Sequence, residues 1–374
     1  MQITFPDFDH TELEALKQCL SSGWVTQGPF TQQFEALVAK RHQAHYALAT
    51  TSCTAALHLA TMALDLKPGD EMIVPAFTWV TSAHAAEYVG AKAVFVEVNP
   101  FSFNIDPAAL EAAITPRTRA IMAVHLFGLA ADMNAINAIA KKHNLAVIED
   151  AACAIGTTYE DKPIGALGDI GCFSFHPRKI VTTGEGGMVT TNRQDLADKV
   201  QSLRNHGSTG MPENEPQGPW TMATFDRLGY NLRLSDIQAA VGVAQMAKLD
   251  KQLTERRNAA YVYSRLLAEI EEVVLPTAIE VSGHSFQSYV TRIKSGREQR
   301  NNIMIKLSEQ GIQTRPGTHA VHRLGYYREK YALKAEDFPI AAMCEDTTMT
   351  LPIFPGITEV QQQQVVSIIK ESLT

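Results

Sequence analysis

The fold is constrained most by an alternation of short β-rich runs with helical stretches between Ala44 and about Thr191. The β-rich runs are HYALAT, EMIVP, KAVFVEV, RAIMAVH, LAVIED, CFSF and GGMVTT. Strands that are separated by helices pair in parallel, because each helix carries the chain back to the start of the next strand. The sequence therefore predicts an α/β fold in which helices cover a mostly parallel sheet.

A second, smaller domain is predicted after a long helix. Ser235 is a good N-cap, and a helical pattern without proline runs from Asp236 to about Ile270, a length suited to joining two domains. The runs SFQSYVTRI and GIQTRPG beyond Pro276 are typical of a smaller α/β domain. We expect a large domain over residues 1–250 and a small domain over residues 251–374.

Composition and charge exclude several classes of partner. The 374 residues are 45% hydrophobic and 20% charged, which is ordinary for a globular protein. The net charge is -7 and no window holds five consecutive Lys or Arg residues, so the electrostatic pattern of nucleic-acid or membrane binding is absent. The five cysteines are scattered without metal-ligand spacing, which predicts no metal site. The sequence has no leader and no apolar run of about 20 residues, so we expect a cytoplasmic protein that binds small molecules.

A candidate reactive amine lies in the window SFHPRKIVTTGEGGMV, where a short strand meets a turn and Lys179 follows it. Burial of its side chain, or a neighbouring cation such as Arg178, lowers the pKa of a lysine and makes it a nucleophile that forms a Schiff base with an aldehyde. A solvated surface charge is the alternative for any single lysine.

A candidate acidic partner ends the apolar run LAVIED, since Asp150 then lies at the carboxyl edge of the sheet, where α/β proteins bind ligands. A carboxylate there can pair with a protonated pyridine nitrogen, which pyridoxal phosphate needs in order to act as an electron sink. The alternative is that Asp150 only caps the following helix.

Other polar and aromatic residues follow neighbouring strands. Thr51, Ser52 and Thr54 lie where a helix begins, which suits a phosphate, although an ordinary helix cap explains them too. Trp79 could stack on a planar ring or lie in the core. In the window LGYNLRLSDIQAAVG, Asn231 offers a further anion donor just before the long helix.

Seven windows in order resemble the DegT/DnrJ/EryC1/StrS family of pyridoxal-phosphate sugar aminotransferases. They are WVTQGPFTQQFE, TSCTAALHLA, IVPAFTWVTSAHA, VIEDAACAIG, FSFHPRKIVTTGEGG, GYNLRLSDIQAA and LPIFPGITE, and they span nearly the whole chain. The resemblance implies the aspartate aminotransferase-like fold, pyridoxal-phosphate fold type I. In that fold a large domain with a mostly parallel seven-stranded sheet is followed by a smaller C-terminal α/β domain.

The resemblance also implies roles for individual residues. Lys179 would form the internal aldimine and, once released, move the proton between the donor Cα and the cofactor C4′. Asp150 would hold the pyridine nitrogen and Trp79 would stack on the ring. Asn231 would reach the phosphate held by a neighbouring subunit, so the enzyme would be a homodimer with shared active sites. The residues expected around the phosphate of their own chain are Ser52, Cys53, Thr54 and Ser174.

Two positions depart from the pattern of the family. Cys53 stands where a small glycine is usual, which narrows the approach of the backbone to the phosphate. Cys153 stands where Gln or His is usual, close to the phenolic edge of the cofactor, and a thiol is only a weak hydrogen-bond donor. We hypothesise that Cys153 lets the internal aldimine titrate differently from that of Gln-bearing relatives, with drift in packing as the alternative.

Retention of Lys179 favours transamination, because the branch that dehydrates sugars replaces this lysine with histidine. The resemblance implies a ping-pong transfer from L-glutamate to a nucleotide-linked 4-keto-6-deoxy sugar, giving a 4-amino-4,6-dideoxy sugar for lipopolysaccharide O-antigen biosynthesis. A 3-keto-sugar aminotransferase and a pyridoxal-phosphate-dependent sugar dehydratase are the alternatives.

The segment TRPGTHAVHRLGYY supplies candidate donors for a nucleotide-sugar diphosphate in Arg315, His319 and His322, unless it is only a polar loop. Its spacing resembles members that aminate C4, such as perosamine synthases. Thr26 and Gly28, in the turn from Trp24 to Phe30, are expected to line the same pocket. The identity of the nucleotide, and whether the amino group is added at C4 or at C3 of the sugar, stay open.

Two other classes of function explain the sequence less well. A dinucleotide-dependent oxidoreductase would carry GxGxxG after its first strand, but this turn is TSCTAAL and contains no glycine. A ligand-sensing regulator of the same fold would need a basic recognition helix, and the sequence has none.

Overall fold

The structure is a computed structural model that describes residues 1–212, 217–276 and 283–373. The α-helices in these ranges are α1 (His10–Ser22), α2 (Pro29–His42), α3 (Cys53–Ala63), α4 (Thr81–Glu87), α5 (Pro107–Ala112), α6 (Met133–His143), α7 (Gln194–Leu203), α8 (Asp236–Leu267), α9 (Arg297–Glu309), α10 (Gly325–Tyr331), α11 (Pro339–Thr347) and α12 (Glu359–Leu373). Short 3-10 helices span Leu126–Gly128 and Val321–Arg323.

The strands are β1 (Tyr46–Thr50), β2 (Glu71–Pro75), β3 (Phe77–Thr78), β4 (Lys92–Val96), β5 (Thr118–Val124), β6 (Ala146–Asp150), β7 (Thr158–Tyr159), β8 (Lys162–Pro163), β9 (Ile170–Ser174), β10 (Gly187–Thr191), β11 (Ser208–Gly210), β12 (Thr224–Phe225), β13 (Val273–Val274), β14 (Tyr289–Ile293), β15 (His319–Ala320) and β16 (Thr348–Leu351). Each of the seven β-rich runs of the sequence overlaps one of the longer strands.

Those seven strands form the main sheet, in the order β1-β10-β9-β6-β5-β2-β4. Neighbouring strands from β9 to β4 pair in parallel, and β10 runs antiparallel to both β1 and β9. The predicted mostly parallel seven-stranded sheet is therefore confirmed. The carboxyl ends of six strands meet at one edge of the sheet, because only β10 points the other way.

Helices pack against both faces of this sheet. On β2, Met72 and Val74 belong to a core with α3, α4 and α7, whereas Ile73 belongs to a core with α5 and α6. Successive strand residues point to opposite faces, so both sets must be apolar when both faces are covered. All five residues of β2, β9 and β10 are buried, as this packing requires.

The long helix α8 joins two cores. Ser235 caps it, with its Oγ accepting a hydrogen bond from the Gln238 N–H. The first half of α8 packs through Leu249 and Leu253 into a core shared with α2, β9 and β10. The second half packs through Tyr263 and Leu267 onto β14, β16, α9 and α12. Residue 250, where the boundary between the two domains is predicted, lies within this helix.

The residues after 283 do not all pack together. β14, β16, α9 and α12 share the core of the second half of α8, but Ala320, Tyr327 and Ala341 are buried in the core of α3 and α4. The short strand β15 pairs with β3 next to the main sheet. The segment around His319 is therefore held against the large sheet, although it lies within the predicted small domain.

The N-terminal residues lie along the C-terminal part of the chain. The carbonyl of Met1 accepts a hydrogen bond from the Gln313 N–H at 2.9 Å, and that of Ile3 accepts one from the Ile353 N–H at 3.0 Å. Phe5 packs on Phe354 with ring centroids 4.7 Å apart. No helix in the described ranges combines the length and the apolar character that a membrane span requires.

Candidate active site

A cavity of about 650 Å³ opens at the edge of the sheet where the parallel strands end. Its size is that of a site for a small molecule, and ligands bind at this edge in open α/β sheets. The predicted site residues that line it are Ser52, Cys53, Thr54, Trp79, Asp150, Cys153, Ser174, Lys179, Arg315 and His319. The structure therefore brings together most of the residues that the sequence placed far apart.

Asp150 is the last residue of β6 and is 5% exposed. Its Oδ2 accepts a hydrogen bond from Ser82 Oγ at 2.6 Å, and its Oδ1 accepts one from the Ala152 N–H at 3.1 Å. Ser82 in turn lies 3.0 Å from Thr78 Oγ1. A buried carboxylate is costly unless it is hydrogen-bonded, and these contacts hold Asp150 in place at the cavity wall.

Lys179 lies in the turn that follows β9, and its ammonium nitrogen donates a hydrogen bond to Cys153 Sγ at 3.0 Å. The buried Ser174 closes the preceding strand beside it. The Lys179 side chain is half-buried and lines the same cavity as Asp150. It is therefore not the solvated surface charge that was the alternative for a single lysine.

The start of α3 forms a cradle for an anion. Ser52 caps the helix by accepting a hydrogen bond from the Ala55 N–H at 3.1 Å, so the amides of Cys53 and Thr54 begin the first turn at the cavity. Gly187 of β10 packs behind this turn, where an added Cβ would lie 2.4 Å from the Ser52 carbonyl carbon. The cradle therefore depends on a glycine on the neighbouring strand.

The thiol of Cys53 faces the same region. Burial, together with the nearby Asp150 carboxylate, raises the pKa of the Cys53 thiol well above its usual value. The thiol is therefore neutral at physiological pH and adds no negative charge to a phosphate site. The substitution of the usual glycine by Cys53 keeps the backbone amide available for an anion.

Trp79 and His319 are neighbours in the lining of the cavity. The Trp79 side chain follows β3 and is 54% exposed, so it is not the core tryptophan that was the alternative. The β3–β15 pairing sets His319 opposite Thr78, and the Trp79 and His319 ring centroids are 5.5 Å apart. An exposed indole at the mouth of the cavity is available to cover a planar ring.

Arg315 carries an uncompensated positive charge into the cavity. Its backbone pairs with Thr350, but its guanidinium forms no hydrogen bond or ion pair within the described part of the chain. Burial lowers the pKa of Arg315, and the neighbouring Arg178 lowers it further. The lining also includes other arginines, so the cavity is suited to anionic ligands. These are Arg178, Arg297 and Arg300.

Four predicted residues do not reach this cavity. His322 is fully buried, and its ring packs on Phe338 while a ring nitrogen contacts the Ala335 carbonyl at 3.1 Å. The structure thus corrects the expectation that His322 binds substrate, because its side chain belongs to the core. Thr26 and Gly28 lie beside the start of α8 instead, where Thr26 bridges Ser235 and the Gly28 N–H donates to Asp236.

Asn231 is exposed and lies outside the cavity of its own chain, bridged to Asn205. That position agrees with the predicted role toward a neighbouring subunit, which stays a prediction. Gly28, by contrast, is buried against Trp24 and Asp236, and an added Cβ would clash with both. The absence of a side chain at Gly28 therefore lets this turn pack tightly, and its contact with a substrate stays a prediction.

Several cavity residues were missed by the sequence reasoning. Ser82, which donates a hydrogen bond to the cavity residue Asp150, could have been noticed because it falls in the window IVPAFTWVTSAHA. Gln287 carried no signal, since it contacts the Lys179 turn from 107 residues away. Ile3 and Thr4 line the cavity only because the N-terminal residues pack along the C-terminal strands.

Comparison with known proteins identifies the family of the chain. The model of the DegT/DnrJ/EryC1/StrS aminotransferase family matches residues 6–370. The chain belongs to this family. The family membership confirms that the protein is an aminotransferase of fold type I with pyridoxal phosphate as its cofactor.

Two curated relatives match over almost their whole length. GDP-perosamine synthase of Caulobacter vibrioides is 39% identical over 376 residues, covering 100% of this chain and 98% of the relative. The spore coat polysaccharide biosynthesis protein SpsC of Bacillus subtilis is 36% identical over 98% of this chain and 96% of its own length. Both names concern carbohydrate biosynthesis.

A solved structure shares the fold. Spr1654 of Streptococcus pneumoniae in its PMP form superposes with a TM-score of 0.93 at 27% identity, covering 100% of this chain and 98% of that one. The same protein has been solved in a PLP form. The aminotransferase fold thus extends over the whole chain.

The residues present fit pyridoxal phosphate. The first turn of α3 and Ser174 would hold the phosphate, Asp150 would face the pyridine nitrogen, and Lys179 would bind the cofactor aldehyde. When bound, the cofactor supplies an electron sink for carbanion chemistry at the substrate. The neutral Cys53 thiol and the close approach of Gly187 leave the phosphate cradle free of opposing charge.

Proposed function

We propose that the protein transfers an amino group from L-glutamate to a nucleotide-linked 4-keto-6-deoxy sugar and so forms a 4-amino-4,6-dideoxy sugar. The observation that carries this proposal is the shared cavity of Lys179, Asp150 and Arg315. The proposal is supported because a lysine amine, a carboxylate that could face a pyridine nitrogen and a guanidinium without a partner in the described ranges line one cavity.

Lys179 supports transamination rather than dehydration. A lysine amine can bind the cofactor covalently and, when free, can accept and return the proton at the substrate carbon. Cys153 is 3.0 Å from Lys179 Nζ and offers only a weak hydrogen bond, so the amine is not held in an ion pair that would have to break first. The sugar dehydratases of this family have a histidine in place of the lysine. Because Lys179 is retained, dehydration is the weaker alternative.

The positive wall supports an anionic donor and an anionic acceptor. L-Glutamate carries two carboxylates and a nucleotide sugar carries a diphosphate, and both need charge-assisted donors in a partly buried site. Arg315, Arg178 and Arg297 all line the cavity, and Arg178 is close enough to Arg315 to lower its pKa. His319 adds a neutral or cationic donor next to Trp79.

The choice of C4 rests on the relative named GDP-perosamine synthase, whose similarity extends over the whole chain. Amination at C3 is the second candidate within the same family. The cavity has the arginines that either sugar nucleotide needs, so the position of the amino group is decided by experiment.

We also propose that the enzyme works as a homodimer in the cytoplasm and supplies an amino sugar for a surface polysaccharide such as the O-antigen. Asn231 and Thr26 are both exposed and lie outside the cavity of their own chain. A second subunit could therefore receive them at its own site. Light scattering at several protein concentrations tests the dimer directly.

The deciding experiment incubates the holoenzyme with L-glutamate and a GDP-linked 4-keto-6-deoxyhexose. We expect 2-oxoglutarate and an amino sugar nucleotide in equal amounts, with NMR placing the nitrogen on C4. Nitrogen on C3 would favour the second candidate. A dehydrated product without consumption of glutamate would contradict the proposal, as would a protein that binds no pyridoxal phosphate.

A further inference from the structure

A buried glutamine is hydrogen-bonded to the turn that carries Lys179. Gln287 lies two residues before β14 and is 6% exposed. Its Nε2 donates a hydrogen bond to the Arg178 carbonyl at 2.6 Å, and its Oε1 accepts one from the Ile180 N–H at 3.1 Å. The two contacts therefore flank Lys179 on both sides along the backbone.

The pair of contacts fixes the orientation of the amide. The Arg178 carbonyl can only accept a hydrogen bond, and the Ile180 N–H can only donate one. A reversed amide would therefore set an acceptor against the carbonyl and a donor against the N–H. An amide satisfies both peptide groups at once, whereas a carboxylate satisfies only the Ile180 N–H. No apolar side chain satisfies either, and a buried backbone group without a partner is costly.

The backbone of Gln287 is itself held by a buried arginine. Arg256 of α8 is 2% exposed, and its Nη1 donates to the carbonyls of Phe286, Gln287 and Ile353 at 3.3 to 3.4 Å. Burial lowers the pKa of Arg256 to about 10, so the guanidinium is still charged at neutral pH. The long helix thus anchors the backbone from which Gln287 reaches the lysine turn.

We infer that Gln287 is the positioning residue of Lys179, so that the approach of the amine to the cofactor is set by a residue of the C-terminal part of the chain. This inference rests on the proposed role of Lys179. The lysine side chain is long and has many rotamers, so the position of its nitrogen depends on a fixed backbone at its root. Misplacement of a reacting group by about 1 Å costs roughly 10²-fold in rate.

The test compares Gln287→Met and Gln287→Glu with the control Gln362→Met. Gln362 is 1% exposed and donates one hydrogen bond to the Ala259 carbonyl at 2.7 Å, in the core of α12 and far from the lysine turn. Apoprotein is mixed with pyridoxal phosphate, and the covalent adduct on Lys179 is trapped with borohydride and quantified by peptide mass spectrometry over time. The pH midpoint of the absorbance change and the thermal midpoint are measured in parallel.

We expect Gln287→Met to slow adduct formation by about 10- to 100-fold and to move the pH midpoint of the absorbance, and Gln287→Glu to lie between it and the wild type. Gln362→Met should lower the thermal midpoint as much as Gln287→Met and leave both other readouts at wild-type values. Wild-type adduct formation in both Gln287 variants would overturn the inference. If Gln287→Met does not fold, the Gln287→Glu variant alone decides.

The same experiment separates this inference from the proposed function. A wild-type protein in which borohydride traps no adduct on Lys179 would contradict the role of the lysine, and the positioning role with it. A wild-type adduct together with unchanged Gln287 variants would leave the function standing and remove only the positioning role.

Discussion

The two walls of the cavity differ in how their side chains are held. On the wall formed by the sheet edge, the Asp150 carboxylate is bonded to Ser82 and Ala152, and the Lys179 turn is bonded to Gln287. On the facing wall, the backbone of Arg315 is fixed by Thr350, but its guanidinium has no partner in the described part of the chain.

The difference separates chemistry from recognition. Groups that act on the reacting atoms are held in advance by the protein, which lowers the reorganisation needed in each reaction cycle. A guanidinium without an internal partner keeps its hydrogen-bond capacity for a ligand, because a charge-assisted bond to a substrate then replaces water rather than a protein carboxylate. Substitutions on the two walls should therefore change different kinetic constants.

The largest effect is expected from Lys179→Ala on the sheet wall. We expect kcat to fall by about 10³-fold or more, since a positioned proton-transfer group contributes roughly 10²- to 10⁴-fold and covalent binding of the cofactor is lost as well. Steady-state amino transfer from glutamate measures it, with the exposed Lys17→Ala as control. Activity of Lys179→Ala near that of the control would remove Lys179 from the reaction.

Asp150→Asn keeps the shape and removes the charge on the same wall. We expect kcat to fall by about 10²-fold, because one fixed electrostatic contact to the reacting system contributes roughly 10²- to 10³-fold. The KM for glutamate should change little. The control is Asp169→Asn, whose carboxylate forms an ion pair with Arg193 outside the cavity. A rise in KM at constant kcat would instead place Asp150 among the recognition groups.

Arg315→Met tests the facing wall. Loss of a charge-assisted hydrogen bond of about 1.5–3 kcal/mol should raise the KM of the anionic substrate by about 10- to 100-fold. The absorbance of the lysine-bound cofactor should be that of the wild type, since Arg315 holds none of the groups on the other wall. The exposed Arg119→Met serves as control. Loss of kcat without change in KM would contradict the division between the walls.

The smallest effect is expected from Cys153→Gln. The Cys153 sulfur lies 3.0 Å from Lys179 Nζ. A glutamine oxygen accepts a full hydrogen bond from the lysine amine where the thiol sulfur accepts a weak one, and a bond of about 1 kcal/mol moves the pH midpoint of the cofactor absorbance by about 0.5 to 1 unit. Titration of the absorbance measures the shift, with Cys19→Ser as the control. An unchanged midpoint would favour drift in packing as the reason for the cysteine.

Much of the site could be predicted because its residues follow strands. Asp150, Ser52 and Ser174 each end or follow a β-rich run, and the ends of parallel strands meet at one edge whatever the loops do. The windows around Trp79 and Lys179 could be matched to a family by short, ordered motifs. These predictions needed only local patterns.

The other wall could not be predicted in the same way. His322 and His319 stand three residues apart in one polar segment, yet His319 lines the cavity and His322 is buried against Phe338. The sequence offers donors in that segment but not the direction in which each points. That direction is set by the β3–β15 pairing and by packing on the core of α3 and α4.

The sequence alone determined the parallel sheet and the long helix and supplied the proposed reacting residues, since strand periodicity, capping and motif spacing are local properties of the chain. Tertiary structure alone decided that Gln287 holds the Lys179 turn and that Ile3 and Thr4 line the cavity. It also decided that the Arg315 guanidinium has no partner among the residues that the structure describes. Each of these depends on contacts between segments far apart along the chain. Such contacts are fixed by the shapes that pack together, and no local pattern encodes them.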